Sequence, residues 1–151
     1  MRKGEFYSAM FGIIKNEKWE ILFQKRANTW FRDWKYQLPS WHLEWEEKMV
    51  ESLIRELKEE LWIEVEEKDC ELVHITHRVE PKWRVYFNAY FNVNAYSWEL
   101  KNLETHKCDE LYWASKNEID TNELFAYDRE ILDLIYEWSK FSETLNLFSE
   151  K

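Results

Sequence analysis

The residues best suited to chemistry stand in one acidic stretch, WEEKMVESLIRELKEELWIEV, from Trp45 to Val65. Glu56, Glu59 and Glu60 are three and four residues apart, so on a helix their carboxylates gather on one face. Carboxylates held that close repel one another until a counter-charge arrives. A hard divalent cation such as Mg²⁺ supplies that charge. It takes oxygen ligands, usually one or two carboxylates, and completes its shell with waters and phosphates. Arg55 lies four residues after Glu51 and four before Glu59, where it can brace the cluster. A solvated acidic helix face has the same composition, so the cluster alone leaves metal binding and plain solvation both open.

A helix over Glu47–Glu60 is what positions these groups. Val50, Leu53, Ile54, Leu57 and Leu61 recur at spacings of three and four and form one apolar stripe. The order of residues around the stripe resembles the Nudix box, G-x5-E-x7-R-E-U-x-E-E-x-G-U, where U is a bulky apolar residue. Glu47, Arg55, Glu56, Leu57, Glu59, Glu60 and Ile63 fall where the pattern asks. Leu38-Pro39 and His42-Leu43-Glu44 are similar to the family's lead-in. Two motif positions depart, since Trp41 and Trp62 replace the motif glycines. Glu46 also stands where many members have a further glycine. Position 62 lies just past the helix, where a left-handed glycine cap is favoured.

The resemblance implies an enzyme that hydrolyses the pyrophosphate bond of a nucleoside diphosphate linked to another group, with Mg²⁺ or Mn²⁺ as cofactor. It implies Glu59 and Glu60 as the main carboxylate ligands, and Glu56 as a ligand or as the acceptor of the attacking water's proton. Glu47 would support the metal shell, Arg55 would orient the glutamates, and the backbone carbonyl of Ser40 would be a further ligand. Arg26 is placed either to face substrate phosphate or to be a surface charge. Glu104 is either a late metal ligand, a water-activating base, or an exposed loop carboxylate. The implied substrate is a small nucleotide: a nucleoside triphosphate or a nucleotide sugar such as ADP-ribose. Two alternatives stand beside this reading, a catalytically impaired nucleotide-binding module and an RNA-end pyrophosphohydrolase.

Composition bounds the rest. With 151 residues, 45% hydrophobic and 34% charged, the chain has the makeup of one globular domain over 1–151. A formal net charge of −9 with no basic run does not suit a nucleic-acid partner. No apolar run reaches membrane-spanning length and no signal peptide opens the chain, so the expected setting is cytoplasmic, with a homodimer allowed. Cys70 and Cys108 are far apart and lack a C-x-x-C partner, which predicts reduced thiols and no zinc site.

The element order predicts an α/β fold: a Nudix-type α/β/α sandwich with a mixed central sheet. Ser8–Lys15 and Glu20–Lys25 read as paired strands across a turn, and Lys35–Pro39 as a short strand. Glu71–Val79 and Arg84–Asn92 form a hairpin across Pro81-Lys82-Trp83. His74 and His77 face opposite sides of their strand and read as structural histidines. Ala95–Lys107 is a polar connection, Cys108–Ser115 a strand with Trp113 in the core, and Asn117–Glu123 a turn. Ala126–Phe141 is a second amphipathic helix with Trp138 on its apolar side, and the tail after Ser142 frays.

The glycine and tryptophan counts are abnormal: two glycines, where average usage of about 7% gives about ten, against ten tryptophans. Trp19, Trp30, Trp34, Trp41, Trp62, Trp83 and Trp98 stand where turn chemistry or the motif asks for glycine. One reading is a source gene that uses UGA for glycine; the other is a lineage that favours tryptophan. Trp41 and Trp62 then predict a chain that folds but catalyses poorly.

Overall fold

The computed structural model describes residues 6–30, 33–44, 46–81, 84–119, 124 and 126–145. Strands β1 (Tyr7–Ile14), β2 (Ile21–Arg26), β3 (Tyr36–Gln37) and β4 (Ser40–His42) precede helix α1 (Met49–Leu61). Strands β5 (Cys70–Glu80), β6 (Arg84–Val93) and β7 (Cys108–Ala114) follow, then helix α2 (Ala126–Tyr136) and strand β8 (Phe141–Leu145). A mixed five-stranded sheet has the order β4-β1-β6-β5-β8, and a second sheet has the order β3-β2-β7.

The layering follows from the period of two along a strand. Met10 and Ile14 of β1, with Ala89, Phe91 and Val93 of β6, pack on Leu53, Leu57 and Leu61 of α1. Ile13 of β1 and Tyr90 of β6 point the other way and pack with Ile131 and Leu132 of α2. Both faces of the sheet are thus covered by a helix, as an α/β/α sandwich requires. The apolar stripe of α1 is buried at Leu53, Leu57 and Leu61, which are all 0% exposed.

Several expectations are corrected. β1 and β2 do not form a hairpin ladder. Beyond the single bridge Lys15↔Ile21, β2 leaves for the other sheet and pairs with β3 and β7. The mixed central sheet stands as predicted, but β2 is not part of it; β2 forms a second sheet with β3 and β7. α2 stops at Tyr136, and Trp138 lies past its end with φ 64°, where its N–H reaches Ile135 O at 3.0 Å. The chain then returns as β8, parallel to β5 from Ile75↔Phe141 to Val79↔Leu145, so the tail as far as Leu145 is paired. Trp83, Lys82, residues 120–123 of the predicted turn and the tail beyond 145 lie outside the described residues.

Eight described non-glycine residues hold φ between 54° and 71°: Trp19, Asn28, Trp30, Trp34, Glu46, Trp62, Trp98 and Trp138. Apart from Asn28, whose side chain tolerates this region, each costs about 1–2 kcal/mol relative to a right-handed or extended backbone. Trp41 is not among them and keeps an ordinary strand conformation.

His74 adds a side-chain tie between β5 and the start of β8. It is 1% exposed, with Nδ1 2.8 Å from Ser139 O and Nε2 2.8 Å from Ser142 Oγ. Removing the ring unpairs the partly buried Ser139 carbonyl and opens a cavity. We expect His74→Ala to lower stability by about 1–3 kcal/mol and to abolish amide-exchange protection across β8. Unchanged protection in that variant would mean that the strand ladder alone holds β8.

Candidate active site

Helix α1 carries Glu56 and Glu60 on the face beside its buried stripe, with Glu59 further round toward solvent. Arg55 is their hub. Its Nε and Nη2 donate to the two oxygens of Glu47, at 2.8 and 2.9 Å. Its Nη1 lies 3.0 Å from Glu56 Oε1 and 3.0 Å from Glu59 Oε2. One planar cation thus holds three carboxylates in a geometry that lysine could not reproduce. The Arg55 hydrogen bonds hold the Glu47 carboxyl below its ordinary range, and Glu47 in turn raises the pKa of Arg55.

Glu56 and Glu60 line a cleft of about 730 Å³, together with Ser40, Glu44 and Glu104. Burial pushes the Glu56 carboxyl up, and Arg55 only partly offsets it. Burial also pushes Glu60 up, and the neighbouring charges of Glu104 and Glu56 push it further. Glu104 comes from the connection between β6 and β7. Leu103 N–H and Lys101 N–H donate to Glu60 O and Leu61 O, each at 2.9 Å, so this connection is tied to the end of α1. Those bonds also satisfy two of the carbonyls that a helix end leaves open. The Asn102 side chain receives the Glu104 N–H at 3.1 Å and donates to Cys108 O at 2.8 Å. Glu104 Oε2 is buried and accepts no hydrogen bond. His106 Nε2 lies 3.3 Å from it, an ion pair only when that ring is protonated.

Trp41 enters the same cleft from β4. Its ring is 6% exposed and sits in the core cluster under α1, while its indole Nε1 donates to Glu60 Oε2 at 2.5 Å. Trp62 ends α1 in the left-handed conformation, φ 59° and ψ 27°. The helix end therefore keeps a glycine-type cap although its residue is tryptophan.

Of the residues singled out in the sequence, Glu56, Glu60, Glu104, Ser40 and Arg26 meet at the cleft. Glu47 and Glu59 do not line it; both are held on Arg55. Arg26 closes β2 and donates to Gln37 Oε1 at 3.0 Å and to Thr29 Oγ1 at 2.9 Å. Sequence reasoning missed Glu44, Arg78, Arg84, Asn88 and Lys107, which also line the cleft. The cations come from β5, β6 and the loop before β7, so no run in the sequence announces them. Lys107 is close enough for its charge to pull the Glu60 carboxyl down. A signal for Glu44 was present in the His42-Leu43-Glu44 lead-in.

The donor set suits a hard divalent cation: carboxylates of raised pKa, a buried carboxylate oxygen without a donor, and strand backbone beside them. Among the described residues no three His, Cys, Asp or Glu groups already converge on one point. An ion would have to draw the carboxylates together, and the Trp41 bond to Glu60 would compete with it.

The sequence matches the model of the NUDIX domain over residues 6–135. No curated protein matches it. The fold is similar to the solution structure of the Escherichia coli ORF135 protein, with TM-score 0.72 and 23% identity over 88% of this chain and 90% of that one. It is also similar to a MutT NUDIX hydrolase from Burkholderia pseudomallei, with TM-score 0.71 and 21% identity over 85% and 97%. A MutT protein from Methanosarcina mazei Go1 gives TM-score 0.73 and 20% identity over 91% and 96%.

The raised Glu60 pKa makes a stability statement with a definite sign. A carboxyl whose pKa is higher in the folded chain binds its proton more tightly there, so its penalty grows as pH rises through the folded-state value. Below the ordinary value of 4.5 both states are protonated and the penalty disappears. Without added metal at pH 7, Glu60→Gln should therefore raise Tm, on the order of 2 °C. The gain should shrink to nothing as pH falls below 4.5. A lower Tm for the variant at pH 7 would show that the Trp41 bond outweighs burial.

Proposed function

The chain belongs to the NUDIX domain family, and on that premise we propose that it hydrolyses the pyrophosphate bond of a small nucleotide. The observation that carries this reading is the meeting of Glu56, Glu60 and Glu104 in one cleft with Arg26 and Lys107. Carboxylates alone would repel a polyphosphate. Carboxylates beside cationic side chains can hold metal and phosphate together.

In this reading Glu56, Glu60, Glu104 and the Ser40 carbonyl hold Mg²⁺ or Mn²⁺. Glu59 joins them only by turning from Arg55. Bound there, the cation offsets phosphate charge and lowers the pKa of water. Arg26 and Lys107 bind phosphate oxygens. Water adds to one phosphorus in line with the leaving phosphate oxygen, and that P–O bond breaks. Glu56 takes the water's proton, a role suited by burial, which lifts its pKa above that of a solvated carboxylate. Glu104 is the second candidate for that role. Arg55 orients Glu56 while Glu47 neutralises the remaining guanidinium edge, and neither needs to touch substrate.

A specific observation also favours a second reading, an impaired nucleotide-binding module. The Trp41 indole already occupies Glu60 Oε2. Nothing distinguishes a nucleoside triphosphate from a nucleotide sugar such as ADP-ribose, and both belong in the assay.

The test is phosphate release from a nucleotide panel with Mg²⁺ and with Mn²⁺. We expect metal-dependent turnover, and Glu56→Gln should lower kcat by about 10²-fold or more. Full activity in that variant would move the base to Glu104. Nucleotide binding without turnover on any substrate would favour the module.

A further inference from the structure

Of the eight tryptophans among the described residues, six hold positive φ: Trp19, Trp30, Trp34, Trp62, Trp98 and Trp138. The same six are exposed, from 43% at Trp62 to 101% at Trp30. The remaining two, Trp41 and Trp113, keep strand backbone and pack in or against the core. The division by backbone and the division by burial coincide. A bulky side chain has no preference for left-handed backbone, and glycine is the residue that occupies it freely.

We infer that these six positions are glycine in the natural protein, encoded by UGA triplets that its source organism reads as glycine. The two processes that could place tryptophan on exposed surface predict different backbones. Selection for surface aromatics places rings on any backbone that exposes them. A change in the reading of one codon places them only where glycine had been. Some rings do make contacts: Lys58 Nζ lies 5.0 Å from the Trp98 ring, and the Trp62 and Trp98 rings are 5.2 Å apart. Such contacts form wherever rings lie on a lysine-bearing surface, and none requires positive φ.

Function within the fold agrees. Trp62 caps α1, Trp138 ends α2, and Trp19 follows the Asn16 turn, with its N–H 3.0 Å from Asn16 O. Helix caps and tight turns are the places that use glycine. Six glycines restored would bring the count from two to eight, close to the roughly ten expected from average usage. Trp138, which the helical pattern places on the apolar side of α2, joins this set on its backbone and its exposure. Trp41 does not join it. The inference rests on backbone and exposure, and it stands or falls apart from the catalytic reading.

Two measurements test it. Sequencing the source gene should show UGA at codons 19, 30, 34, 62, 98 and 138 and UGG at 113; UGG at the six would overturn the inference. The second compares Trp30→Gly with Trp30→Ala in the full chain. Both remove the exposed ring, and only glycine removes the Cβ that resists positive φ. The glycine variant should melt about 2–4 °C above the alanine variant. Trp113→Gly, on strand backbone, should melt below the parent. A Trp30→Gly variant no more stable than Trp30→Ala would also overturn the inference.

Discussion

The bidentate grip of Arg55 on Glu47 is the interaction on which the acidic face of α1 depends. Without a cation at its centre, the helix would present several carboxylates to one another on one side, and like charges at such spacings oppose helix formation. Arg55 converts that repulsion into a network. Its side chain is partly exposed, so each bond taken alone is worth little in stability. Its value is in placement. With Glu47 and Glu59 held on the guanidinium, Glu56 and Glu60 are left to face the cleft.

That arrangement has a cost which the rest of the fold meets. Two carboxylates of raised pKa sit partly buried beside Glu104. The fully buried Leu53, Leu57 and Leu61 on the neighbouring face of α1 supply the burial that anchors the helix against the five-stranded sheet. Burial of a leucine side chain contributes about 1.5–3 kcal/mol, and three of them oppose the penalty on the acidic face.

What the sequence revealed follows physical range. The stripe of α1, the Arg55 brace and the β5–β6 hairpin rest on residues within a few positions of one another, and periodicity exposes them. The division of strands between two sheets depends on whether β2 pairs with β1 or with β7, residues about ninety positions away, and local pattern carries no such information. The end of α2 was misread because Trp138 continues the apolar spacing, whereas its left-handed backbone breaks the helix. At the cleft, Glu56, Glu60 and Glu104 were legible by type. Of the cations lining the same cleft only Arg26 was legible, because Arg78, Arg84 and Lys107 come from three further segments with no run to announce them.

The connection that carries Glu104 is fastened to the last carbonyls of α1 by Lys101 and Leu103. This makes it a strut and not a flap. Swinging Glu104 outward would strip two hydrogen bonds from the helix end and leave the Glu60 and Leu61 carbonyls open. The backbones that carry Glu60 and Glu104 thus move as one unit. Any breathing that admits a substrate must come from elsewhere on the rim of the cleft, while the two carboxylates still reach toward an ion by turning their side chains.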